Sequence, residues 1–322
     1  MNVPTPPRAV GQRMQWDDLP DHVRAGIEGF LGEPVTGVAS MAGGFSPGLA
    51  ARLETASGRK VFAKAVAAVP NAVAPRIHQR EIRVASKLPV SAPVPRLFWS
   101  SIEEDGDGWV TLVFEAIDGR PPAQPWEASE FALVVDALNA LTRDLTPSPV
   151  SPDEVSVTEL WGVLSGRHWI GLEVDQIAHP DPWITRNLDR LIDAEDAMRE
   201  VISGETLLHL DLRGDNMLLT DSGVVVVDWP HARVGPAWLD ALFFAPSVAM
   251  EGGPDPESLI AMLDAPREAD PEHLTLAIAG IAGFFTHVGG LPPEPGLPGL
   301  REFQEAQARV ARRWLARRTG WE

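Results

Sequence analysis

The residues best suited to chemistry lie in the segment His209-Leu210-Asp211-Leu212-Arg213-Gly214-Asp215-Asn216 and in the run that follows it, Val224-Val225-Val226-Val227-Asp228-Trp229. Consecutive valines read as a buried strand, so Asp228 brings a carboxylate to a strand terminus. Asp211 and Asn216 sit on the loop before it. A loop–strand–turn–strand unit of this kind converges three oxygen donors on one point. Hard cations such as magnesium take oxygen donors and complete their shell with phosphate and water. The bland alternative is that Asp211 and Asn216 shape a turn and Asp228 caps the next one.

A second loaded position lies far upstream. The chain has three lysines, Lys60, Lys64 and Lys87, and Lys64 interrupts the apolar strand Val61-Phe62-Ala63-Lys64-Ala65-Val66. A buried ammonium is costly unless it is paired. Glu81 is the one carboxylate between Lys64 and Leu88. A lysine snorkelling from an edge strand and a solvated glutamate would also satisfy the pattern. The loop Gly43-Gly44-Phe45-Ser46-Pro47-Gly48 offers backbone N–H groups that can approach phosphate oxygens without side-chain interference.

These positions need elements to hold them. Residues 1–15 read as a loose Pro-rich arm, and Trp16 to Leu31 as a helix with Leu19, Val23, Ile27 and Leu31 at helical spacing. Thr36–Met41, Leu49–Thr55 and Lys60–Val66 read as strands, Asn71–Leu88 as a helix, and Leu97–Ser100 with Trp109–Phe114 as a strand pair. The stretch from Glu115 to Pro122 reads as a hinge. Helices are expected near 127–145, 157–165, 181–203, 236–249, 272–288 and 299–319, interrupted by strands at 217–219 and Val224–Asp228. The expected class is α+β, in two lobes: residues 1–116, an antiparallel sheet with one long helix, and residues 117–322, mainly helical.

His-x-Asp-x-x-x-x-Asn followed by an Asp at a strand end resembles the catalytic and metal-binding segments of the kinase-like fold. The Val-Val-Asp-Trp segment, with Gly235-Pro236 and Leu239-Asp240 downstream, is similar to the aminoglycoside phosphotransferase family, over roughly residues 36–250. The resemblance implies a phosphotransferase that moves the γ-phosphate of ATP or GTP, with Mg2+, to a small-molecule hydroxyl. It implies Asp211 as catalytic base, Asn216 and Asp228 as magnesium ligands, and His209 and Asp240 as braces of the loop. Arg213 would offset charge in the transition state, although many relatives carry histidine there. Lys64 would contact phosphates and pair with Glu81. Gly43, Gly44 and Ser46 would cover the nucleotide, and backbone groups near Glu115 and Ile117 would meet the adenine edge. A protein kinase is disfavoured because Asp228 is followed by Trp229-Pro230 and too few residues separate it from Pro236 for a long activation loop. A non-catalytic nucleotide-binding scaffold of the same fold is the alternative.

Composition narrows the rest. The chain has 322 residues, 44% of them hydrophobic, with no cysteine and a net charge of -18. That excludes disulfides and thiolate metal sites. No basic head with an apolar stretch marks a signal peptide, no apolar run is expected to reach the roughly 18 residues of a membrane span, and a soluble cytoplasmic protein is the expectation. Residues 1–116 hold 12 Lys+Arg against 12 Asp+Glu and the remainder 15 against 33, so the second part carries the whole charge. Such a surface is a poor partner for nucleic acid. It either keeps the protein soluble or draws a cationic acceptor such as an aminoglycoside or amino alcohol. Trp126, Trp161, Trp169 and Trp183 could line an acceptor site or pack in the core.

Overall fold

The computed structural model describes residues 13–41, 48–69, 73–103, 108–155, 167–177, 181–294, 297 and 299–322. Gly43, Gly44 and Ser46, Trp161 and the helix expected at 157–165 lie outside them.

The first part is an antiparallel five-stranded sheet of order β1-β2-β3-β5-β4, built from β1 (Val35–Ser40), β2 (Leu49–Thr55), β3 (Lys60–Val66), β4 (Leu97–Ile102) and β5 (Val110–Glu115). Side chains alternate across a strand, which gives the sheet two different faces. Ala51, Leu53, Val61, Ala63 and Ala65 form one core with Val23, Ile27 and Leu31 of α1 (Asp21–Leu31). On the other face, Val66, Val110, Leu112 and Phe114 pack with Ala74 at the start of α2 (Ala74–Ala85). Lys64 falls between Ala63 and Ala65 and so points to the α2 side. Helical spacing does the complementary work on α2, where Ala74, His78 and Glu81 share the buried face.

The remainder is mainly helical: α3 (Ala128–Asp144), α4 (Pro152–Val155), α5 (His168–Val174), α6 (Pro182–Met198), α7 (Leu239–Met250), α8 (Pro256–Met262), α9 (Asp264–Glu268), α10 (Pro271–Gly290) and α11 (Leu300–Thr319). Four short strands interrupt them. β6 (Thr206–Leu208) pairs with β9 (Arg233–Gly235), and β7 (Met217–Thr220) with β8 (Gly223–Val226).

Several elements depart from their expected bounds. The first helix is broken at Pro20, which leaves a short 3-10 turn at Trp16–Asp18 before α1, because proline cannot supply an N–H in a helix interior. The valine strand ends at Val226, so Asp228 stands two residues beyond it, in the irregular segment before the turn at Pro230. The long apolar stretch that was not expected is α10, which is long and apolar enough by length and composition to cross a membrane. Its apolarity has a local reason: it runs through the helical core against α5, α6, α7 and α11.

Two contacts lock the linker to the helical part. Arg120 and Leu219 exchange backbone hydrogen bonds of 3.1 and 2.7 Å. Gly119 makes that possible, since a Cβ there would stand 2.7 Å from the Leu219 carbonyl oxygen.

Candidate functional site

β6 leads into the loop that carries Asp211. His209 is fully buried, and its ring is fixed at both nitrogens. Nε2 lies 2.9 Å from the Val227 carbonyl, and Nδ1 accepts from the Asp211 N–H at 3.1 Å, which sets the Nε2–H tautomer. Asp240, on the first turn of α7, accepts the N–H groups of His209 and Leu210, both at 2.8 Å. Leu210 has φ 60, a left-handed conformation unfavourable for a residue with a Cβ. Burial pushes the Asp240 carboxyl up despite those partners and His209. Asp240→Ala leaves two N–H groups without acceptors, each worth about 1–3 kcal/mol when buried. The expected result is a lower urea midpoint with an unchanged slope; an unchanged midpoint would remove Asp240 as the brace.

Asp211 is held by two neighbours. Arg213 Nη1 donates to both its oxygens, at 3.0 and 3.2 Å, and Asn216 Nδ2 donates to its Oδ2 at 3.1 Å and to its carbonyl at 2.8 Å. Arg213 is itself buried. It also donates to Asp215 through Nε at 2.8 Å and Nη2 at 3.0 Å, and it lies 5.5 Å from the centre of the Phe303 ring. Burial alone would lower its pKa, but Asp211 and Asp215 hold it above the ordinary arginine value. The guanidinium is thus committed to two carboxylates here. Asp215 and Phe303 belong to this cluster, and sequence reasoning missed both. Asp215 was visible as a second acid in the loop, whereas Phe303 arrives from α11 with no local signal.

Asp228 and Lys64 meet across the cleft. Lys64 Nζ lies 2.5 Å from Glu81 Oε1 and 2.5 Å from Asp228 Oδ1. Lys64 and Glu81 are almost inaccessible, with side-chain exposures of 9% and 2%, while the Asp228 side chain is 36% exposed. Burial opposes the Lys64 charge, yet Asp228 and Glu81 raise its pKa above the usual value. For Asp228, burial alone would raise the pKa; Lys64 outweighs it and holds the carboxyl well below the usual range. Glu81 shifts upward, because burial outweighs its share of the one lysine. Trp229 N–H also donates to Glu81 Oε1 at 3.3 Å, and Arg80 Nη1 to the Pro230 carbonyl at 3.2 Å, so α2 is docked on the segment that carries Asp228. Asp228 has φ 70, a strained value for a non-glycine residue at a place where these contacts converge.

Two cavities flank Asp228. The first, about 280 Å³, is lined by Lys64, Glu81, Phe114, Glu115, Ala116, Ile117, Asn216 and Asp228, and Arg13 reaches it from the N-terminal side. In the stretch expected to act as hinge, Glu115 N–H donates to the Arg96 carbonyl at 2.8 Å and the Ile117 carbonyl accepts from Arg52 at 2.8 Å. The second, about 430 Å³, contains Asp211 and Arg213. His78 and Asp228 line both. Burial, with Lys64 nearby, lowers the His78 pKa to about 4, so its imidazole is neutral at pH 7. Trp126 and Trp169 are buried core residues and Trp183 donates to the Trp321 carbonyl; none of the three lines the second cavity.

The sheet, the docked helix and the lysine–acid cluster define a kinase-like fold. Solved structures agree. The aminoglycoside phosphotransferase APH(2'')-Ib with ADP bound is 12% identical, with a TM-score of 0.58 over 91% of this chain and 99% of that one. Spectinomycin phosphotransferase APH(9)-Ia, in complex with ADP and spectinomycin, is 12% identical, with a TM-score of 0.56 over 87% of this chain and 93% of that one. An amicoumacin kinase in complex with AMP-PNP and Ca2+ is 13% identical, with a TM-score of 0.55 over 86% of this chain and 88% of that one. At these identities the likeness is one of fold. No curated protein sequence matches the chain. The family model of the phosphotransferase enzyme family matches residues 41–276, and the chain belongs to that family.

Proposed function

We propose that the protein moves the γ-phosphoryl group of ATP or GTP to a hydroxyl of a small molecule, with residues 1–116 serving the nucleotide and 117–322 the chemistry and the acceptor. The observation that carries this reading is that Asp228 lines two cavities at once, with the Lys64–Glu81 pair in the first and Asp211 in the second. The nucleotide belongs to the first cavity. Backbone groups around Glu115 and Ile117 serve the adenine edge, and Lys64 the phosphates. The loop with Gly43, Gly44 and Ser46 is assigned to cover them.

The donor set fits a hard divalent cation. Asn216 spends its side-chain nitrogen on Asp211, which leaves its oxygen, and Lys64 meets only Oδ1 of Asp228. Magnesium needs one or two protein oxygens, since phosphate and water supply the rest. Asn216 and Asp228 would hold it, and it would neutralise phosphate charge. Asp211 orients the acceptor hydroxyl and takes its proton as the hydroxyl oxygen bonds to the γ-phosphorus, the bond from phosphorus to the bridging oxygen breaks, and the nucleoside diphosphate leaves. This is catalysis mainly by positioning and electrostatics. Arg213 keeps Asp211 aimed. A small-molecule partner, no nucleic-acid or membrane partner, and residence in the cytoplasm belong to the same reading.

The test is acceptor-dependent formation of ADP or GDP by the purified chain with Mg2+, across sugars, amino alcohols, aminoglycosides and macrolides, with the product identified by mass. Transfer abolished by EDTA and by Asp211→Ala supports it. Tight nucleotide binding with no transfer to any acceptor would instead favour a scaffold.

A further inference from the structure

We infer that the acceptor is an uncharged alcohol with an apolar, ring-bearing body, and not a polyammonium sugar. The inference rests on the assignment of the second cavity to the acceptor. Its walls are the observation. Phe243 of α7, Phe284 and Phe285 of α10, and Phe303 of α11 line it. On α11, Leu300, Phe303, Gln304 and Gln307 recur at helical spacing and present one face to the space. Among the described lining residues, the only carboxylates are Asp211 and Asp228. Both already face cations, Arg213 and Lys64. The other titratable side chains there are His78, His231, Arg213 and Arg233.

That inventory decides against a polycation. A ring face can hold a single ammonium weakly, but a polyammonium body would bring several charges out of water at once, and no spare carboxylate stands on the described walls to meet them. The charge of -18 acts from the outer surface, where salt screens it over about 8 Å. It can steer a cation towards the protein without offering it a seat. Aromatic faces suit a flat or ring-bearing body.

One polar group marks the orientation. Gln307 is 5% exposed, lines the cavity, and its carboxamide makes no hydrogen bond to a described residue. Its amide is not sealed from solvent, so it is open to the cavity, where a ligand carbonyl, amide or hydroxyl can hydrogen-bond with it. Gln304 differs, since it accepts from Arg301 Nη1 at 3.0 Å.

The experiment is a ligand-observed NMR screen of the full-length chain, with Mg2+ and a non-hydrolysable ATP analogue. One set of probes consists of uncharged aryl and alicyclic alcohols, the other of polyamine alcohols including kanamycin. The expected result is saturable binding confined largely to the uncharged set. Gln307→Glu keeps the shape and adds a carboxylate. It should weaken the uncharged hits and tighten the polyamines by about tenfold, the worth of one charge-assisted hydrogen bond. Phe303→Leu should weaken the aryl hits, and a thermal melt on both variants checks folding. Tighter binding of polyamines by the parent chain overturns the inference, as does failure of every uncharged alcohol to bind. Nucleotide binding and transfer are read separately. Failure of those alone would strike the phosphotransferase reading and leave the ligand preference standing.

Discussion

Asp211→Asn is expected to lower kcat for phosphoryl transfer by a factor of about 10² to 10⁴, the usual worth of a positioned base, while nucleotide affinity stays close to that of the parent. The geometry separates the two effects. Asp211 lines the second cavity and is absent from the walls of the first, where the nucleotide is assigned. Asparagine keeps the size of the side chain, and its one oxygen, in the Oδ2 position, can still accept from Arg213 and Asn216 while the contact at Oδ1 is lost; the loop held by His209 and Asp240 should persist. What it loses is a carboxylate able to take a proton. Single-turnover rates with saturating acceptor would measure the step, and a fluorescent nucleotide analogue would measure binding. A variant with parental kcat would remove Asp211 from the chemistry. One that lost nucleotide affinity in proportion to rate would make it part of the nucleotide site.

Lys64→Met should damage both stability and activity. The ammonium sits between two carboxylates at 2.5 Å each. Removing one partner of a buried ion pair typically costs about 3–5 kcal/mol, because the other charge is stranded. The sign of the pH dependence follows from the shifts. Asp228 is depressed in the folded protein, so its contribution is present above its unfolded pKa and fades as pH falls through the folded one. Glu81 is raised, so its effect runs the other way: it favours the folded state at low pH and loses that advantage as pH rises. Without Lys64 both folded pKa values must climb. The penalty of the substitution should therefore be largest near pH 8 and shrink towards pH 5. Urea unfolding of the parent and variant at several pH values measures this. A penalty independent of pH would mean lost packing against Phe114, which lies 5.7 Å from Nζ, and not lost charge. Transfer should fall as well, since phosphates in the first cavity would lose their buried cation.

The residues that meet around Asp228 were easier to read than the elements around them. Lys64 was legible because a strand residue flanked by alanines and valines has no business carrying charge unless something pays for it. Glu81 was legible by elimination, and its place on α2 follows from helical spacing. Asp211, Asn216 and Asp228 share one short stretch, so the local motif carried them. The strands β6 and β9 were not visible, being too short to show a period; they exist because they pair with each other. The break at Pro20 outweighed a helical pattern that ran through it. Least legible was the second cavity. Its walls come from α2, the Asp211 loop, the turn after Asp228, α7, α10 and α11, and no sequence window spans them. Net charge, summed over the whole chain, misses a lining that holds four phenylalanines and no spare acid among its described residues.

The bond pattern at Gly119 and Arg120 bears on how the two parts can rock. Because those residues are stitched to β7, the linker is not one loose tether. Only Ala116–Asp118 separates the last strand of the sheet from the stitched segment, and Ile117 is itself tied to β2 through Arg52 at 2.8 Å. Lys64 already stands 2.5 Å from Asp228, so any tilt of the five strands on so short a link would be felt first by that ion pair.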